Sequence, residues 1–233
     1  MDEGQGFWVR LFGRGRSPTD FLAARAHFGQ GLPMGPLAAQ DYVVFDLETT
    51  GLRPSRGDAI VQVGAVRLRG IEEVACLTTL VNPARPIPPE STRFHGIDDA
   101  RVAAAPGMAA AIGAFRDFAA GAVLVAHNAA FDRTALHMAE FRGAPALPNA
   151  VLCSMIVSRW LDPAEADHSL DGLCGRRGIV IAGRHDALGD ARATAALWVD
   201  LLARAAVRGV EHLPELVRRT RMGARMAESM TYF

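Results

Sequence analysis

The chain has 233 residues, half of them apolar and 21% charged, which is ample material for one globular core. Its 25 basic residues are matched by 25 acidic ones, so no net field draws it to polyanions and any such contact must be local. All 25 basic residues are arginine, which excludes a Walker-type phosphate loop and Schiff-base chemistry, since both need a lysine. Cys76, Cys153 and Cys174 are odd in number and far apart, so they outline neither a disulfide framework nor a zinc knuckle and read as buried thiols of a reducing compartment. No apolar run approaches the roughly 18 to 20 residues that cross a bilayer. The opening Phe7 to Phe12 run is too short for a signal segment and leads into Arg14 and Arg16, so a cytoplasmic protein without a membrane span is expected.

Residues 1–40 read as an extension holding one short helix, opened by Ser17 as N-cap with Pro18 at the first helical position. Phe7, Trp8 and Phe12 within it read as docked on the chain's own core, ahead of a partner contact or a membrane-surface contact. From Asp41 the texture changes. Tyr42 to Phe45 is a β-branched and aromatic run suited to a central strand covered on both sides. Residues 60–68 and 74–81 are β-rich and closely linked, which predicts an antiparallel meander with the first strand. The period then switches to helix over 107–120, to a short apolar strand over 123–126, and back to helix over 129–141. Residues 151–157 read equally as a strand or a helix start. A capped helix over 169–177 stops at Gly178, and 187–206 is the longest helix. Three strands followed by alternating helix and strand predict an α/β fold over 41–206, a mixed sheet with helices on both faces. Residues 207–233 form a basic tail carrying Arg208, Arg218, Arg219, Arg221 and Arg225, read as a solvated helix end.

Three clusters carry chemistry. Asp46 and Glu48 stand two apart at the end of the first strand, so alternation projects both carboxylates from one face. Such a pair is costly unless something cationic joins it, and Gly51 just beyond permits a tight turn. His127 to Asp132 opens a helix after the short apolar strand. Asp132 falls in the first turn, where the helix dipole alone would favour it, and His127 and Asn128 suit capping or buried backbone groups. His185 to Ala191 opens the longest helix, with Asp186 as N-cap and Asp190 as an acid in an apolar stretch that needs a partner. Asp46, Glu48, Asp132 and Asp190 thus converge on one edge of the sheet. Hard oxygen donors without cysteine suit two Mg²⁺ or Mn²⁺ ions, which in such sites clamp an in-line phosphoryl displacement by water. A histidine is the side chain suited to deprotonate that water near neutral pH, and His185 fits the role.

The segments Asp46-Leu47-Glu48-Thr49-Thr50-Gly51-Leu52, His127-Asn128-Ala129-Ala130-Phe131-Asp132 and His185-x4-Asp190 resemble the three motifs of the DEDDh 3′-to-5′ exonucleases, with a likeness to the proofreading epsilon subunits of bacterial DNA polymerase III. Phe94-His95-Gly96-Ile97 and Ser169 to Cys174 are similar to further segments of that family, so the resemblance covers about 41–206. The sister class has a tyrosine four residues before the last acid. That position here is Asp186, which places the chain with the histidine type. The resemblance implies a ribonuclease-H-like five-stranded sheet, two metals on Asp46, Glu48, Asp132 and Asp190, and His185 as general base. It also implies that Thr49, Leu52, His95, Asn128 and Phe131 hold the 3′-terminal nucleotide, with Leu52 wedged beside the last base. Aromatic and apolar contact with a base face tolerates any sequence, as an enzyme removing every nucleotide requires.

The expected substrate is a single-stranded DNA 3′ end, in proofreading beside a polymerase subunit or in stand-alone repair. RNA 3′ ends are the alternative, since the choice depends on the 2′-hydroxyl. A nucleic-acid-binding module without catalysis and a hydrolase of small phosphate esters are the remaining readings.

Overall fold

The computed structural model describes residues 33–230, with side chains through residue 221. The helix expected after Ser17 and the aromatics Phe7, Trp8 and Phe12 lie outside the described residues. Five strands, β1 (Asp41–Thr49), β2 (Ile60–Arg69), β3 (Glu72–Leu80), β4 (Val123–Ala126) and β5 (Val151–Cys153), form one sheet in the order β3-β2-β1-β4-β5. β1 to β3 make the antiparallel meander, while β4 and β5 are parallel to β1. Among the described residues eight α-helices accompany them: α1 (Pro89–His95), α2 (Asp99–Val102), α3 (Met108–Phe118), α4 (Ala130–Phe141), α5 (Ser154–Leu161), α6 (Leu170–Arg177), α7 (Ala187–Val207) and α8 (Leu213–Met230). The sequence left 151–157 open between strand and helix, and both occur: three strand residues run straight into α5.

Alternation along β1 divides the core. Val43, Phe45 and Leu47 face α3 and α4, packing with Ile112, Phe115 and Leu136. Tyr42 and Val44 face the opposite layer, with Leu173, Leu197, Trp198 and Leu201. A strand buried on both faces must be apolar throughout, which is why 42–45 carries no polar alternation. Asp46 and Glu48 continue the even-numbered face, so they emerge on the side covered by α7.

Two glycines set how closely the layers approach. Gly64 lies opposite Asp46 in the β1–β2 register, and a Cβ there would overlap the Ala187 carbonyl and the Leu188 nitrogen. The bare strand position therefore admits the amino end of α7 against the sheet. Gly189 plays the same part within α7, against the carbonyls of Ala182 and Gly183.

The core does not stop at Ala206. Val210, Leu213, Leu216 and Val217 are buried in the layer that holds Trp198, and α8 packs on α5. The basic residues Arg218 and Arg219 stay outside, each 3.3 Å from Glu215. This stretch had read as a solvated tail because its apolar spacing is interrupted by Pro214, which sits harmlessly in the first turn of α8. The segment before β1 is also tied down. Leu37 is buried, its N–H donates to Glu211 O at 2.7 Å, and the Tyr42 hydroxyl donates to Leu37 O at 2.9 Å. Cys153 and Cys174 are buried as expected, but Cys76 is exposed: it lies on the edge strand β3, on the face where Arg192 of α7 reaches its sulfur at 3.6 Å. Among the described residues no helix is long and apolar enough to cross a membrane.

Candidate active site

At the carboxyl end of β1, ligand atoms of Asp46, Glu48 and Asp190 lie within 4.8 Å of one another. The first two share a strand face, and the third comes from the first turn of α7. That turn is anchored in two ways. Asp186 is its N-cap, accepting from the N–H groups of Leu188 and Gly189 at 3.1 Å each. Gln62, opposite Glu48 on β2, donates to Asp186 Oδ2 at 2.9 Å and accepts from the Ala187 N–H at 3.3 Å. Gln62 and Gly64 are thus the β2 residues that seat α7. Both escaped sequence reading, although a glutamine and a glycine inside an apolar strand were available as signals.

Asp132 arrives from the other layer, in the first turn of α4, and is 3% exposed. It stands outside the 4.8 Å group but close enough to act on Asp46. Burial pushes Asp46 well above the usual carboxylate range, reinforced by the charges of Asp132, Glu48 and Asp190. Glu48 is pushed up to about 7 by burial and by Asp190, and Asp132 to about 8 by burial and by Glu48. Asp190 is raised too, by burial. Four acids driven upward by desolvation and mutual repulsion are a site short of positive charge.

One cation is resident. Arg184 Nη1 lies 2.5 Å from Asp190 Oδ2, while its Nε and Nη2 reach the Asp171 carboxylate of α6 at 3.0 Å. Its charge also lowers the pKa values of Asp46 and Glu48. The sequence had shown that Asp190 needs a partner. Arg184, beside the expected base and six residues before that acid, was the overlooked candidate. It does not complete the site, for Asp190 Oδ1 is buried without a hydrogen-bond partner among the described residues. An all-oxygen donor set with an orphaned carboxylate oxygen fits a hard divalent cation held by Asp46, Glu48 and Asp190, with Asp132 beside them.

His185 sits on the loop entering α7 with φ 63°, and its N–H donates to Asp190 Oδ2 at 3.2 Å. Its ring meets Phe94 edge-to-face with centroids 6.0 Å apart, and Phe94 is 70% exposed. His95, next to Phe94, has a buried Nε2 without a hydrogen-bond partner, and burial and the nearby Arg101 and His185 charges lower its pKa. Thr49 is buried, donating to Gly51 O at 2.7 Å, whereas Leu52 stands 87% exposed at the tip of the same loop. A Cβ at Gly51 would displace the Asp58 carboxylate from its place against this loop. Phe131 is half-buried beside Asp132, and Asn128 is exposed with φ 56°. His127 is structural, as its position had indicated: Nδ1 is 2.9 Å from Ser154 Oγ and Nε2 is 3.0 Å from His168 O.

An exonuclease family model, RNase_T, matches residues 43–198. The chain is 44% identical over 199 residues to a DNA polymerase III subunit epsilon-like protein of Rhodobacter capsulatus, covering 84% of this chain and 28% of that one. It is 34% identical over 182 residues to a PolC-type DNA polymerase III of Bacillus subtilis, covering 77% and 13% respectively. The chain thus spans little more than a quarter of the one relative and about an eighth of the other. Among solved structures, Exonuclease X in complex with 5′-overhanging duplex DNA superposes with a TM-score of 0.60 at 30% identity, over 71% of this chain and 93% of that one. Escherichia coli Exonuclease I in complex with a dT13 oligonucleotide shares the fold, with a TM-score of 0.61 at 17% identity over 72% of this chain and 42% of that one. The chain belongs to the DEDDh exonuclease family, divalent-metal-dependent nucleases built on a ribonuclease-H-like sheet.

Proposed function

We propose that this protein is a 3′-to-5′ exonuclease that releases nucleoside monophosphates from single-stranded DNA ends, in proofreading or repair. The observation that carries this reading is the carboxylate cluster: three acids within 4.8 Å, a fourth beside them, and an Asp190 oxygen with no hydrogen-bond partner among the described residues. In this reading Asp46, Glu48, Asp132 and Asp190 hold two Mg²⁺ or Mn²⁺ ions. Bound there, the ions supply charge neutralisation at the scissile phosphate and favour loss of a proton from the attacking water.

His185 receives that proton, and the Phe94 ring and the Asp190 bond to its N–H limit where the imidazole can sit. Leu52, exposed at the loop tip, lies against the last base, and Thr49, His95, Asn128 and Phe131 line the terminal-nucleotide pocket. The Exonuclease X complex supports a DNA end as substrate, since a 5′ overhang presents a recessed 3′ end. The epsilon-like and PolC-type relatives support a polymerase partner as the setting.

The test is degradation of 5′-labelled single-stranded DNA, recessed duplex and RNA with Mg²⁺ or Mn²⁺, beside EDTA and Asp46→Ala controls. A ladder shortening from the 3′ end on DNA, absent in both controls, is expected. Equal or faster loss of RNA would move the substrate to RNA ends, and shortening from the 5′ end would overturn the polarity. His185→Ala should keep metal binding and lose roughly 10² to 10⁴ in rate, as for a lost general base.

A further inference from the structure

The chain is neutral overall, yet its arginines are unevenly matched. Away from the site, Arg67 pairs with Asp41, Arg177 with Asp162 and Asp200, Arg192 with Glu73, and Arg204 with Asp162. Arg53, Arg56, Arg85 and Arg142 are all exposed, and among the described residues none has a carboxylate within ion-pair distance. They come from three separate segments that meet at one glycine. Arg53 precedes and Arg56 ends the turn at 54–56, which packs on α4, and Gly57 follows it. Arg85 Nη1 donates to Gly57 O, and the Cβ position of Gly57 lies 3.4 Å from Arg85 Nη1 and 3.9 Å from Arg142 Nη2.

The nearby acids are occupied elsewhere. Asp58 accepts from the Arg53 backbone N–H at 2.8 Å and from the Thr50 hydroxyl at 3.4 Å, and Glu140 faces His137 at 3.8 Å. Concentrating unneutralised guanidinium groups is unfavourable for the free protein, so the arrangement suits a polyanion that threads between them. The turn is mounted on a buried Pro54 and on Gly57 at φ 116°, which gives the groups a fixed base. It also follows directly in the chain the loop that leaves the carboxylate cluster through Thr49 and Leu52.

We propose that Arg53, Arg56, Arg85 and Arg142 form a landing for the backbone phosphates of the strand a few nucleotides upstream of the terminus. This deepens the exonuclease reading, which supplies the strand, but its test needs no hydrolysis. Binding of a labelled single-stranded dT12 is measured by fluorescence anisotropy in EDTA across a salt series, for wild type, Arg142→Gln and Arg85→Gln/Arg142→Gln, with dT3 in parallel. Each phosphate contact contributes about 0.7 to the slope of log K against log salt for single strands. The double variant should therefore lose about 1.4 of slope and roughly tenfold in dT12 affinity, with dT3 affected less.

The Arg142 side chain makes no hydrogen bond or ion pair among the described residues, while its backbone N–H caps α4 through the Met138 and Ala139 carbonyls and is kept by the substitution, so Arg142→Gln should melt like wild type and still lose about 0.7 of slope. An unchanged slope, or weaker binding at unchanged slope, overturns the landing. A reduced slope in a protein that shortens no 3′ end would keep the landing and remove the exonuclease reading. Normal shortening with an unchanged slope would do the reverse.

Discussion

Asp46, Glu48 and Asp132 are held above their ordinary pKa values by burial and by one another. An acid whose folded pKa exceeds its unfolded value binds more protons folded than unfolded, so stability falls as pH climbs through the interval. For Glu48 that interval runs from 4.5 to about 7, and for Asp132 from 3.8 to about 8. Metal-free protein in EDTA should thus be most stable near the acidic end of this window and lose several degrees in melting temperature by pH 8. Asp46→Asn should flatten the decline while abolishing hydrolysis. A melting temperature that rises from pH 5 to 8 in EDTA would show that the acids are not mutually strained.

Arg184 is the counterpart. Replacing it with Gln removes a positive charge 2.5 Å from Asp190, so Mn²⁺ affinity measured by calorimetry should rise several-fold even as the metal-free protein becomes less stable. Weaker Mn²⁺ binding would mean instead that Arg184 orients Asp190 for the ion. The positions of the acids and of His185 were legible in the sequence because Asp46 and Glu48 lie at the carboxyl end of a strand and the others stand where a helix opens. Arg184 was not, because its role depends on Asp171 of a different helix.

Among the elements, most boundaries were readable from caps and periodicity. Ser169 caps α6 by accepting from the Gly172 N–H at 3.1 Å, Gly178 ends it in the left-handed region, and Asp186 caps α7. What periodicity did not reveal is how these elements approach one another. Gly64→Ala places a methyl group against the backbone of α7 at Ala187, so we expect a loss of about 1 to 3 kcal/mol in urea unfolding together with weaker Mn²⁺ binding. A stability loss without a change in metal affinity would show that Asp190 does not depend on this seat. Leu216→Ala, in a core that the sequence left out, should cost about 2 to 5 kcal/mol as a buried large-to-small change. A change near zero would return α8 to the status of an appendage.

At the scale of the molecule, the segment before β1 and the segment after α7 are linked, by the Leu37 bond to Glu211 and a bridge between Pro36 and His212. A chain cut after residue 206 loses Val210, Leu213, Leu216 and Val217 from the layer that holds Trp198. Each such side chain is worth about 1.5 to 3 kcal/mol, and the sum rivals the whole stability of a typical domain. That truncation should therefore lack a cooperative thermal transition by circular dichroism, whereas retention of one would place the folding boundary at 206.

The strands β1 to β4, the helices α3, α4, α6 and α7 and the three acidic clusters followed from the sequence alone, because strand alternation, helix period and capping are local and act within a few residues, whereas α1, α2 and the packing of α8 were not read. The seat that Gln62 and Gly64 provide for α7, the Arg184 bridge and the convergence of Arg85 and Arg142 over Gly57 were decided only by tertiary structure. Each is a contact between segments far apart in the chain, and a close approach there depends on which side chains the other segment presents or lacks.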